Sequence, residues 1–282
     1  THFRKGEYFI RPQFPQVPGM EAAGEIVAIG AGVTGLAVGD RVMALGMNAY
    51  AERMLVRPNE CYRMPAGLDF VRAAALPVQG ITACHVLTSC GRLAKGERVL
   101  VHAAAGGVGS LAVQLAKAFG ASKVIATASS EDKRALAREL GADLALDARS
   151  PEFVEQIKEA TERKGVDLVP EMVGGSDHYK KNLASLAPFG RMVVYGSASG
   201  DMRGVVEPVS LMARNLSVVG YYLTPMLRRR ELCAPALEDL AERVARDEIR
   251  VIVGKELPLS EAQEAHRALE ARATTGKWVL LP

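Results

Sequence analysis

Apolar residues along this chain follow two rhythms, and the change falls near residue 70. Before it, short apolar runs are broken by glycines, as in Gly24–Gly30 and Gly39–Ala44, with further extended pieces predicted at Ala51–Val56 and Cys61–Met64. Pro12, Pro15, Pro18 and Gly19 keep the preceding segment irregular. Many short strands with glycine turns predict a barrel-like domain. From Phe70 the spacing becomes helical, with helices predicted over Phe70–Ala75, ended by Pro77, and over Ile81–Cys90.

Then unbroken apolar runs alternate with amphipathic ones. Val99–Val101 is a run of the kind buried on both faces of a parallel sheet. Leu111, Ala112, Leu115, Ala116 and Phe119 make one helical face after it, and Gly120 provides a left-handed end. The pattern repeats: strand Val124–Thr127 with helix Glu131–Leu140 closed by Gly141, then strand Leu144–Leu146 with Ser150 as helix cap and Pro151 at the first helical position. Strand Val166–Val173, helix His178–Leu186 and strands Arg191–Tyr195 and Leu216–Tyr221 complete about six strands. Pro170 is awkward inside such a strand, because it removes a ladder donor. A helix over Arg229–Arg246, a strand near Val251–Val253, a capping box at Ser260–Gln263 and a closing strand Lys277–Leu281 follow. The fold class expected is α/β: a doubly wound parallel sheet over 81–246, plus a barrel built from 1–80 and 247–282.

Composition narrows the chemistry. Of 282 residues 49% are hydrophobic, enough for a large core, and a net charge of +3 points to no nucleic-acid or membrane-surface partner. Arg228-Arg229-Arg230 is the only dense basic run and reads as a solvated helix start. Cys61, Cys84, Cys90 and Cys233 show no paired spacing, which fits a reducing, cytoplasmic setting. No apolar run is long enough to span a bilayer.

The chemistry concentrates after the Val99–Val101 strand. His102-Ala-Ala-Ala-Gly106-Gly107-Val108-Gly109 places small residues between a strand and a helix N-terminus. Backbone N–H groups of Ala105, Gly106, Gly107 and Val108 then face a pyrophosphate at the positive end of the helix, which is a dinucleotide site. An NAD site wants an acidic residue about 20 positions further on. Here that stretch is Ala126-Thr127-Ala128-Ser129-Ser130, with Lys133 and Arg134 close behind and no carboxylate. Hydroxyls and a cation suit a 2′-phosphate, so NADPH is favoured over NADH, with Ser130 also positioned as a helix cap. Ser197, Ala198 and Ser199 follow the fifth strand, at the sheet edge where such folds bind ligands.

Taken together, Arg4-Lys5-Gly6-Glu7-Tyr8, Pro18-Gly19-Met20-Glu21-Ala22-Ala23-Gly24, Gly39-Asp40-Arg41-Val42, Leu76–Ala83, His102–Gly109 and Gly276-Lys277 carry a resemblance along nearly the whole chain. The chain resembles the zinc-independent quinone oxidoreductases of the medium-chain dehydrogenase/reductase superfamily. That resemblance implies a Rossmann sheet plus a GroES-like β-barrel whose opening strands this chain lacks. It also implies a cytoplasmic homodimer, with Leu216–Tyr221 as the edge strand that pairs with its copy. Zinc-dependent relatives carry a histidine where Met20 stands and a lobe of four cysteines where only Gly46–Ala51 runs, so no metal set is expected. What remains is hydride delivery to an activated acceptor: a quinone, or alternatively an enone or enoyl thioester. A low-turnover NADPH-binding protein is the reading from outside enzymology.

By the same resemblance Tyr8 and His2 lie in the cleft, with Tyr8 the donor to the acceptor's oxygen. Thr82 falls beside the nicotinamide, Asn215 and Lys277 are expected to contact cofactor, and Val173-Gly174-Gly175 is expected to pass under the riboses. Glu171 stands where the family usually has aspartate, and packing or a strand-end role is the reading for it.

Overall fold

The computed structural model describes residues 4–6, 13–201 and 204–282. The chain divides into two compact units, Thr1–Ile81 with Met226–Pro282, and Thr82–Pro225.

In the first unit, strands β1 (Glu21–Glu25), β2 (Arg41–Leu45) and β3 (Cys61–Arg63) form an antiparallel sheet in that order. Ala23 opposes Met43 and Met43 opposes Tyr62. No strand forms over Ala51–Val56; the chain bends there, and Leu55 is 96% exposed. Helix α1 (Phe70–Ala74) is capped by the Asp69 carboxylate, which accepts from Arg72 N. Helix α2 (Pro77–Leu87) begins at the proline expected to end its predecessor, because a missing N–H is harmless in a first turn.

The second unit alternates strand and helix. Strand β4 (Arg98–Val101) leads through a tight turn into α3 (Gly107–Ala118), which buries Leu111, Ala112, Leu115 and Ala116 as its spacing requires. Gly120 closes the helix at φ +90°. Strand β5 (Lys123–Thr127) precedes α4 (Glu131–Glu139), and strand β6 (Leu144–Leu146) precedes α5 (Phe153–Ala160). Helix α5 starts after Pro151, since Ser150 O and Phe153 N close a separate turn first. Strand β7 (Val166–Glu171), helix α6 (Ser176–Ser185), strand β8 (Leu186–Val194), helix α7 (Pro208–Met212) and strand β9 (Ser217–Gly220) complete one parallel sheet. Its order is β6-β5-β4-β7-β8-β9, with Leu100, Ile125, Phe153, Ile157, Val169 and Met192 packed in its core. This is the doubly wound sheet, with the order reversing between β4 and β7.

That reversal explains Pro170. Strand β7 keeps its ladder with β8 to Glu171↔Val194, but its pairing with β4 is the single pair Val99↔Leu168. The proline lies where the two strands have stopped pairing, so its missing N–H disrupts no bond between them.

After α8 (Leu223–Met226) the chain returns to the first unit at Met226, some twenty residues before the expected position 247. The cause is α9 (Arg230–Ala245), which fully buries Leu237 and Leu240; a Cβ on Gly80 would meet Leu240 Cδ2 at 2.5 Å. Arg230 is no solvated cation either: it donates to the carbonyls of Asn59 and Cys61 and stacks 4.6 Å over the Tyr62 ring. Strand β10 (Val253–Pro258) pairs in parallel with β11 (Lys277–Leu281). Between them, α10 (Ala262–Glu270) is preceded by a 3₁₀ turn over Leu259–Glu261, so Ser260 sits within that turn and is not the helix cap.

Candidate functional site

The turn from β4 into α3 is built around contacts that permit no side chain. Ala103 holds φ +48° and its carbonyl accepts from Gly106 N at 2.8 Å. A Cβ on Gly109 would lie 2.3 Å from that same carbonyl oxygen. The first turn of α3 is therefore pressed against the turn, which brings the N–H ends of Gly107 and Val108 to the helix N-terminus. Ala105 is buried beneath it, while Gly106, Gly107 and Val108 remain partly open. This cradle fits a dinucleotide pyrophosphate, which needs close backbone approach and the positive helix end.

The ends of β5 and β6 carry the polar groups expected one position along the sheet. Ser130 Oγ accepts from Lys133 N at 3.4 Å, capping α4, and leaves Lys133 in the first turn. The sequence reading missed Arg149. Its guanidinium donates to Ser129 O at 2.9 Å and to both oxygens of Asp147. Arg149 hydrogen bonding is the main cause holding the Asp147 carboxyl down at about 2, with Arg134 adding to it. The Asp147 carboxylate is thus charge-paired, and a cation stands at the Ser129 carbonyl. The only signal in sequence was an arginine shortly after the third strand of the sheet.

At the strand-order reversal the site is buried. His102, just after β4, and Glu171, ending β7, have fully buried side chains with His102 Nε2 and Glu171 Oε2 3.8 Å apart. Asn182 of α6 lies between them: its amide nitrogen donates to Glu171 Oε2, and its oxygen accepts from His102 Nε2 at 2.8 Å. That orientation sets the His102 tautomer, so Nδ1 accepts from Thr127 Oγ1 at 3.0 Å. His178 Nδ1 is 3.4 Å from Glu171 Oε2, and the two histidine rings meet edge-on at 4.8 Å. Burial holds the imidazole of His102 below its usual value. For Glu171, burial pushes the carboxyl up, but hydrogen bonds from His178 and the backbone outweigh it and the net shift is down. Ligand atoms of His102, Glu171 and His178 lie within 4.8 Å of one another, a spacing that brings together a possible metal set from distant parts of the sequence. Those atoms on His102 and Glu171 already have hydrogen-bond partners in Asn182 and the backbone.

The remaining expected residues fall into four groups. Gly174 holds φ +82° beside the Ser197 loop: a Cβ on it would lie 2.7 Å from Ser197 Oγ, and Ala198 N donates to Met172 O at 2.8 Å. Thr82 is buried in α2, and Asn215 takes φ +53° in the turn before β9, a conformation asparagine tolerates. Lys277 belongs to the first unit, where it is paired with Glu21, whose other oxygen accepts from Val78 N at 2.7 Å. Tyr8 and His2 lie outside the described residues. No helix among the described residues is long and apolar enough to cross a membrane.

Comparison with known proteins agrees with this architecture. Residues 1–86 match the family model of the alcohol dehydrogenase GroES-like domain, and residues 107–242 that of the zinc-binding dehydrogenases. The chain is 37% identical over 284 residues to a quinone oxidoreductase of Pseudomonas aeruginosa, covering all of this chain and 86% of the relative. It is 36% identical over 288 residues to quinone oxidoreductase 1 of Escherichia coli, with the same coverage. The crystal structure of E. coli quinone oxidoreductase complexed with NADPH superposes with a TM-score of 0.92 at 34% identity, covering 100% of this chain and 87% of that one. A mycobacterial protein complexed with NADPH gives a TM-score of 0.92 at 35% identity, with the same coverage. The GroES-like unit, the doubly wound sheet and these relatives, taken with the motifs that mark them, place the chain among the zinc-independent quinone oxidoreductases of the medium-chain dehydrogenase/reductase superfamily.

Proposed function

We propose that this protein binds NADPH and reduces quinones by hydride transfer without a metal ion. The observation that carries the reading is the pair formed by the Gly109–Ala103 cradle and the carboxylate-free end of β5. The residues divide the work as follows. Gly106, Gly107 and Val108 hold the pyrophosphate through backbone N–H groups. Ser129, Ser130, Lys133 and Arg149 take the 2′-phosphate, with Asp147 kept from repelling it by its own arginines. The Gly174 turn and the Ser197–Ala198 loop shape the path of the riboses, and Thr82, Asn215 and Lys277 are further contacts. When bound, the reduced nicotinamide supplies the hydride. By the family resemblance Tyr8 donates a proton to the acceptor oxygen as charge develops there, with His2 the second candidate. The Tyr8→Phe protein should turn over quinone more slowly; unchanged kinetics would assign the proton to water or the coenzyme ribose.

We further propose a cytoplasmic homodimer. Strand β9 is an edge of the six-stranded sheet, and its Val218 and Val219 are only partly buried, so a second copy can extend the ladder. Light scattering should give twice the monomer mass at micromolar concentration.

The deciding experiment follows NADPH oxidation with quinones, enones and enoyl thioesters at equal concentrations. Fastest saturable turnover with quinones supports the reading; fastest turnover with enones or thioesters reassigns the acceptor. Tight NADPH binding with no acceptor used would mark a binding protein.

A further inference from the structure

Glu171 is buried at the end of β7, where a carboxylate stays ionised only if its oxygens are hydrogen-bonded. Its two oxygens serve two directions. Oε1 accepts from Val173 N at 2.5 Å and from Gly174 N at 2.7 Å. Oε2 accepts from Asn182 Nδ2 on α6 and faces His178 at 3.4 Å. One side chain thus ties the glycine turn to the helix that follows it, and through Asn182 to His102 at the end of β4.

The turn has little else of its own to hold it. Gly174 and Gly175 take φ of +82° and +90°, and neither has a side chain to pack. The next loop hangs on the turn: Ala198 N donates to Met172 O and Ser199 N to Val173 O, each at 2.8 Å. Removing Oε1 as an acceptor would leave the Val173 and Gly174 backbone donors without that partner. Both loops at this part of the sheet's carboxyl edge would then be free to relax.

We propose that Glu171 is a positioning residue for the coenzyme: by accepting from Val173 and Gly174 it fixes the glycine turn and the Ser197–Ala198 loop in the shape that receives the nicotinamide ribose. This rests on the NADPH reading above. The acid touches neither coenzyme nor acceptor; it acts through the backbone it holds, and Asn182 and His178 keep it aimed.

Glu171→Gln tests the claim because an amide has one accepting end and one donating end. Whichever way it is turned, its NH₂ meets either the two turn amides or the Asn182 NH₂. Adding Asn182→Asp restores the match, since the introduced aspartate accepts from the glutamine and from His102 Nε2. In Glu171→Gln, NADPH affinity measured by nicotinamide fluorescence should fall about tenfold, the size of one net hydrogen bond of about 1.4 kcal/mol. Exchange of the Gly174 amide without coenzyme should quicken about as much, while the KM for quinone stays put. The double variant should return affinity and exchange to within about threefold of the parent.

Affinity in Glu171→Gln within about twofold of the parent overturns the proposal. So does a folded double variant that binds no better than the single one. Should Glu171→Gln alone not fold, the double variant decides: restored affinity supports the proposal, and a tenfold loss overturns it. A parent that binds no NADPH overturns the coenzyme reading and this proposal together, whereas a binding parent with unaffected variants overturns this proposal alone.

Discussion

Two stretches of one sheet edge solve the same problem in opposite ways. At the ends of β5 and β6, charge is exposed and local: Ser130, Lys133, Asp147 and Arg149 lie within twenty residues of one another. At the fork between β4 and β7, charge is buried and shared among residues far apart in sequence, His102, Thr127, Glu171, His178 and Asn182. The first arrangement can select a ligand group by reaching into solvent, and each member is worth little to stability. In the second, His102, Thr127, Glu171 and Asn182 are buried, so their polar atoms must find partners inside the protein, and losing one costs more. The sheet edge therefore recognises at one end and braces at the other.

The largest expected effect cuts at the cradle that lies between them. Gly109→Val would force its side chain onto Ala103 O, already 2.3 Å from where a Cβ would sit. The turn or helix must shift, at roughly 3 kcal/mol or more, and NADPH binding should vanish together with a lowered denaturant midpoint. Binding preserved within a few-fold would mean the turn is not where the coenzyme sits.

Acid should break the braced end before the exposed one. His102 is held below its ordinary value of 6.5 by burial, so the unfolded chain takes up a proton first. Stability should begin to fall below about pH 6.5 on that account. Glu171 is held below 4.5, so its contribution is intact above that value and is lost as pH drops further towards its folded value. Urea midpoints measured from pH 7 to 4 should decline in both windows. Replacing His102→Asn should lower the unfolding free energy at pH 7 by roughly 2 kcal/mol, the cost of a broken buried network, and flatten its decline between pH 6.5 and 5.

At the exposed end the effects are on choice of coenzyme. Lys133→Ala and Arg149→Ala should each raise the KM for NADPH about tenfold, as one lost charge-assisted contact does. The KM for NADH and the melting temperature should hardly move. Equal effects on both coenzymes would remove the 2′-phosphate from this place. Smallest of all, Ser130→Ala should cost about 1 kcal/mol or less through its lost cap on α4, with a few-fold rise in the KM for NADPH.

The same contrast explains what was legible in the sequence. Strand, turn and helix signals around Val99–Gly120 agree with one another and lie side by side, so the cradle and the doubly wound sheet could be read directly. Ser130 was legible as the cap on α4, because capping is a local habit. The fork was not, since nothing in the spacing of His102, Glu171 and Asn182 says they meet; only the sheet order brings them together. Pro170 looked like an obstacle for the same reason, and became intelligible once β4 and β7 were seen to stop pairing at Leu168. The return of the chain at Met226 was likewise hidden, because Arg230 stacks on Tyr62 across a separation no periodicity records.

The central claim is that the cradle after β4 and the cationic end of β5 together hold a dinucleotide bearing a 2′-phosphate. Calorimetric titration of the protein with NADPH and with NADH tests it most directly. The account predicts one saturable site for NADPH, at least about tenfold tighter than for NADH; equal affinity for the two, or no heat with either, would contradict it.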